Sequence, residues 1–139
     1  MRKILVILSL FITVGGYAQQ TDATKWVDSV FKTLSPEEQI AQLMVVRLST
    51  INSKKEVIFY DKEVAELIKQ YNVGSLCVFQ GSPIQQATVL NNLQAMAKTP
   101  LLVTIDAEWG VGMRMTDSVL PLPRQMMLGA VQDSSIAYE

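Results

Sequence analysis

The chain has 139 residues, of which 49% are hydrophobic and 18% charged, proportions that exclude a disordered tail, a collagen-like repeat and a disulfide-stapled miniprotein. Setting aside Arg2 and Lys3, which belong to the leader described next, leaves 10 basic against 13 acidic residues and a net charge of −3, so nucleic acid and anionic lipid are not expected partners. There is no histidine and a single cysteine, Cys77. That removes imidazole metal sites, the Ser-His-Asp triad and any internal disulfide, and leaves carboxylates, arginine, hydroxyls and main chain to carry chemistry. No cofactor and no metal is expected.

Residues 1–18 read as a secretory signal. Arg2 and Lys3 make a basic start, Ile4 to Val14 an apolar run, and Gly16-Tyr17-Ala18 a small-x-small pattern before a cut. The run is shorter than the ~20 residues a spanning helix needs, and no cysteine ends it to carry a lipid, so no stable membrane anchor is expected. The mature segment is then residues 19–139, exported to the periplasm or secreted.

Trp26, Val27, Val30, Phe31 and Leu34 predict a helix over Thr21 to Leu34 with one buried stripe. Ser35-Pro36-Glu37-Glu38 is a capping box that starts a second helix. It leads into a first strand over Leu43 to Leu48. The polar stretch from Ser49 to Tyr60 reads as a flexible surface connection. Val64, Leu67, Ile68 and Tyr71 then mark an amphipathic helix from Asp61, closed by Asn72-Val73-Gly74, with Gly74 suited to a left-handed exit. Ser75 to Phe79 is a continuous apolar strand, expected to be buried on both faces. Ser82-Pro83-Ile84-Gln85 is a second capping box, and its helix would line Ile84, Ala87, Leu90, Leu93 and Ala97 along one face. Pro100 ends it, and Leu101 to Ile105 is the third strand. Strand, helix, strand, helix, strand gives two crossover units and an α/β class with a parallel sheet.

Ligands of such sheets bind at the carboxyl ends of the strands. These ends are Arg47-Leu48-Ser49, Gln80-Gly81-Ser82 and Asp106-Ala107-Glu108-Trp109-Gly110, the last followed by Gly112 and Arg114. Asp106 leaves the strand directly, and a fixed carboxylate beside a tryptophan suits a sugar, whose hydroxyls donate to the one while its apolar face rests on the other. Asp106 could equally cap the loop or pair with Arg114. Asp106 and Glu108 lie two residues apart, near the ~5–9.5 Å carboxylate separations of glycoside hydrolysis, although spacing alone does not make them a catalytic pair. Trp109 suits loop packing as well as a sugar platform. Gly110 and Gly112 suit backbone conformation, and Leu120-Pro121-Leu122-Pro123 forces an extended path. Gln125 to Ala130 begins another helix, interrupted at Gly129.

From Ile105 to Gly110 the chain resembles the family 3 glycoside hydrolases, in particular the bacterial β-N-acetylhexosaminidase branch, which carries Ile-Asp-x-Glu-Gly-Gly-Arg-Val-x-Arg after the third barrel strand. Asp106, Glu108, Gly110 and Arg114 keep that pattern, and Leu122-Pro123 and Leu128-Gly129-Ala130 follow in the family's order. Leu34 to Leu43 resembles the family's opening helix and Val73 to Phe79 its second strand. Trp109 and Val111 depart from the pattern, replacing a glycine and an arginine. The resemblance implies the amino-terminal portion of a (β/α)8 TIM-type barrel. It also implies an amino-sugar glycan or cell-wall fragment as substrate, with β-glucosides of the same family as the near alternative; a non-catalytic solute- or carbohydrate-binding α/β protein, which would share the leader, the crossover units and the Asp106-Trp109 loop, is the alternative from another class. Asp106 would bind hydroxyls of the terminal sugar and Arg114 would support the loop or touch substrate. The family's aspartate nucleophile and its His-Asp general acid match no residue here, so residues 19–139 are expected to bind sugar without completing a retaining double displacement.

Overall fold

The computed structural model describes residues 21–115 and 117–137; the leader assigned to residues 1–18 lies outside them. The chain divides after Leu34 into two compact units. In the first, helix α1 (Asp22–Phe31) starts at Thr21, whose hydroxyl accepts from the Thr24 amide at 3.2 Å. Its predicted stripe is not buried: Trp26, Val27 and Phe31 are each more than half exposed. Helical spacing gives a stripe whether or not anything faces it, and no second described element of this unit does. Among the described residues no helix is long and apolar enough to cross a membrane.

The second unit holds the sheet. Helix α2 (Pro36–Ala41) opens with the expected reciprocal cap, in which the Ser35 hydroxyl accepts from the Glu38 amide at 3.2 Å and the Glu38 carboxylate accepts from the Ser35 amide at 2.8 Å. Lys98 also donates to Glu38 at 2.8 Å. Strand β1 (Val45–Arg47) is shorter than the apolar run that predicts it, because Leu43 and Met44 are spent on the turn that leaves α2, their amides reaching back to the carbonyls of Ile40 and Ala41 at 3.0 Å.

The stretch expected to be a flexible connection is a β-hairpin. Strands β2 (Ser49–Ile51) and β3 (Val57–Phe59) pair antiparallel with Thr50 opposite Ile58. The turn is tied by Asn52, whose side-chain oxygen accepts from the amides of Lys54 and Glu56, each at 2.9 Å. Helix α3 (Asp61–Tyr71) follows as predicted, but the left-handed residue at its end is Asn72, at φ 55°. The buried Asn72 side chain pairs with the Thr99 hydroxyl and amide. Gly74 meets a different requirement: a Cβ there would lie 2.2 Å from the Gln42 carbonyl oxygen, so only glycine lets the chain pass the end of α2 into β4 (Ser75–Val78).

Helix α4 (Pro83–Met96) carries the second capping box as predicted. Its inner face is rotated from the predicted one. Leu93 is buried, but Ile84 is 79% exposed and the polar Gln86 takes the inward position, where it donates to the Phe79 carbonyl at 3.2 Å. An otherwise unmet strand-end carbonyl outweighs one more apolar contact there. Strand β5 (Leu102–Ile105) completes a parallel sheet in the order β1-β4-β5, with Arg47, Cys77 and Thr104 in one row across it.

Side chains alternate across a sheet, and the two faces differ. Val46, Leu76, Val78 and Ile105 face the core they form with Val64, Ile68 and Leu93 from α3 and α4. The other face carries Val45, Arg47, Cys77, Leu102 and Thr104. The burial on both faces expected of β4 is met, with Ser75, Leu76 and Val78 buried and Cys77 half-buried; the outer strands are more open on this face, where Val45 is 58% and Leu102 63% exposed. After β5 come a 3-10 turn (Val111–Met113), helix α5 (Gln125–Gly129) and a second 3-10 turn (Ser134–Ala137).

Candidate functional site

Continuing the alternation past the strand ends puts Arg47, Phe79 and Asp106 on the less covered face, at the carboxyl end of the sheet, one from each parallel strand. Register therefore assembles the site. The Arg47 guanidinium lies 4.2 Å from the Phe79 ring centre and that of Arg114 4.9 Å from it. Phe79 itself is pinned through its main chain, its amide donating to the buried Ser49 hydroxyl at 3.2 Å and its carbonyl accepting from Gln86.

Asp106 and Arg114, the two residues predicted to bind substrate, are brought together. Arg114 grips Asp106 twice: Nη2 donates to Oδ2 and Nε donates to the main-chain carbonyl, both at 2.6 Å. The arginine side chain is only 15% exposed and the aspartate 41%, so the clasp is largely out of solvent on the arginine side and open on the carboxylate side. Oδ1 meets no donor among the described residues. Local pairing with Arg114 and a sugar-binding role are therefore compatible: one oxygen fixes the group and the other remains to accept hydroxyl protons.

The rest of the loop supports this arrangement. Gly110 turns the chain at φ 97°, a conformation that favours glycine. Gly112 lets the extended 120–122 segment pass, since a Cβ there would sit 2.8 Å from Pro121 Cα. Glu108 is exposed and its carbonyl accepts from Gln125; no contact joins its carboxylate to Asp106. Trp109 lies against the Arg124 guanidinium at 4.8 Å, a packing partnership within the loop. Beside Arg114 opens a recess of about 200 Å³ lined by Ile51, Lys55, Gln80, Gln85 and Asp117 among others. No group of three or more carboxylate or thiol side chains able to hold a metal occurs among the described residues.

Sequence reasoning placed Arg47 at a strand end without giving it a part, and it missed the hairpin that walls the recess. The signal for the hairpin was present in Ile51 and in Val57-Ile58-Phe59 on either side of a polar turn.

A parallel α/β sheet with its polar groups gathered at the strand carboxyl ends is the arrangement in which α/β domains, barrels and open sheets alike, place their ligand sites. A family model described as the glycosyl hydrolase family 3 N terminal domain matches residues 35–139. The chain belongs to glycosyl hydrolase family 3, its fold is α/β as a portion of a TIM-type barrel, and its chemistry is glycoside hydrolysis with a carbohydrate as substrate. No curated protein matches the chain.

Proposed function

We propose that this segment binds the terminal sugar of a β-linked N-acetylhexosaminide through Asp106 and serves a retaining exo-glycosidase that acts outside the cytoplasm, on amino-sugar glycans such as cell-wall fragments. The observation that carries the reading is the half-used Asp106 carboxylate, clasped on one oxygen by Arg114 and open on the other at the carboxyl end of β5. Arg114 positions that carboxylate. In the full-length protein, cleavage would use a nucleophile and a general acid that have no counterpart in residues 19–139, and the leader at residues 1–18 would direct export.

The test is chromophore release by the full-length protein from aryl β-N-acetylglucosaminide and from aryl β-glucoside. We expect the first to be preferred. Hydrogen bonds to a charged group contribute about 1.5–3 kcal/mol each, so removing a carboxylate that accepts two hydroxyls should slow turnover at least about a hundredfold. Asp106→Ala with near-parental activity would overturn the role of Asp106. Preference for the glucoside would overturn the amino-sugar assignment alone.

A further inference from the structure

We propose that Phe79 is a positioning residue for sugar binding, holding Arg114 so that the Asp106 carboxylate is presented to its ligand; this rests on the reading of Asp106 above. Asp106 and Arg114 lie eight residues apart in one loop, and their clasp ties that loop to itself. It sets the carboxylate against the guanidinium without setting the guanidinium against the rest of the sheet. Something outside the loop has to supply that reference.

Phe79 follows the neighbouring strand β4, and the hydrogen bonds that fix its main chain come from two further elements. Its amide donates to the Ser49 hydroxyl of the hairpin and its carbonyl accepts from Gln86 of α4, each at 3.2 Å. Both partners are buried, Ser49 at 0% and Gln86 at 2% exposure. The Arg114 guanidinium lies over the ring so anchored, 4.9 Å from its centre. A ring face attracts a guanidinium and restrains its plane. The two donors in use, Nε and Nη2, lie in that plane, so restraining it aims both bonds at Asp106 together. Keeping water from one side of the cation also strengthens the charge-assisted bond to Oδ2. Without the ring the clasp could still form, but it would turn with its loop.

Titration of the full-length protein with N-acetylglucosamine tests this as a double-mutant cycle. We expect Phe79→Leu to weaken binding about three- to tenfold, the range of a cation–π contact partly out of solvent, and to change nothing further once Arg114→Met is present. An equal loss in both backgrounds overturns the inference, because the ring then acts on the sugar or on the fold and not through Arg114. No loss in the parental background overturns it too. Should Phe79→Leu not fold, pentafluorophenylalanine at position 79 keeps the shape and reverses the charge of the ring face; the same loss is expected, and unchanged affinity overturns the inference. Asp106→Ala separates the two readings. Wild-type binding in that variant overturns the Asp106 reading and this inference with it, whereas lost binding there beside intact binding in Phe79→Leu overturns this inference alone.

Discussion

Gly74→Ala isolates one atom and asks what holds the sheet against α2. The added Cβ would lie 2.2 Å from the Gln42 carbonyl oxygen and 2.8 Å from its carbonyl carbon and Cα. A comfortable C···O approach is about 3.3 Å or more, so the backbone must open by about 1 Å. Neither side yields easily. Gln42 is held by its amide on the Glu38 carbonyl at 2.9 Å and by its side chain on the Asn72 carbonyl at 2.5 Å. Gly74 is held by its amide on Ala41 at 3.1 Å and by its carbonyl, which accepts from Leu102 at 2.9 Å. Overpacking of this kind typically costs about 1–3 kcal/mol, and the rigidity of both partners places the expected loss at about 2–3 kcal/mol, set against a gain of at most about 1 kcal/mol from a stiffer unfolded chain. With urea slopes of about 1–3 kcal/mol/M, the unfolding midpoint followed by circular dichroism should fall by about 1 M. Gly129→Ala is the control, since a Cβ there meets nothing within 4 Å and should leave the midpoint in place or raise it slightly. If the two variants unfold together, the close approach of β4 to α2 does not constrain the fold.

Arg114→Met should weaken binding of N-acetylglucosamine to the full chain by about tenfold, and Arg114→Lys should do nearly as much harm, because one ammonium cannot bridge both the carbonyl and the carboxylate of Asp106. Full rescue by lysine in a ligand titration would mean that charge alone suffices. The hydrogen bond from Lys98, reinforced by the Ser35 amide, holds the Glu38 carboxyl below its usual value of 4.5. A carboxyl depressed in the folded state adds stability above its unfolded value, and that stability is lost as pH falls through the lower, folded one. Urea midpoints should therefore separate wild type from Glu38→Gln at neutral pH and converge below about pH 4.5; a gap constant across that range would refute it.

Local chemistry was legible in the sequence where a few adjacent residues decide the outcome. Both capping boxes, at Ser35 and Ser82, form the bonds their spelling predicts, and the alternation of helices and strands gives the parallel sheet. What escaped depends on partners distant in the chain. The inner face of α4 is set by the Phe79 carbonyl, which calls Gln86 inward and leaves Ile84 outside. Gly74 was assigned a turning role that Asn72 performs, because the demand on Gly74 comes from Gln42, thirty-two residues earlier. In the site, Asp106 and Arg114 were visible as loop residues after a strand and their pairing was among the readings, yet the Arg47-Phe79-Arg114 stack depends on strand register and on Phe79 being tied to the hairpin through Ser49.

The double grip of Arg114 closes the stretch from Asp106 to Arg114 into a ring fastened without a covalent bond. Because the fastening lies at the base, against main chain as well as side chain, the stretch between Ala107 and Met113 leaves and returns to one fixed point, and Asp106 stays where β5 delivers it. Trp109 and Val111, at which this loop departs from the motif it resembles, both fall within that stretch and outside the clasp.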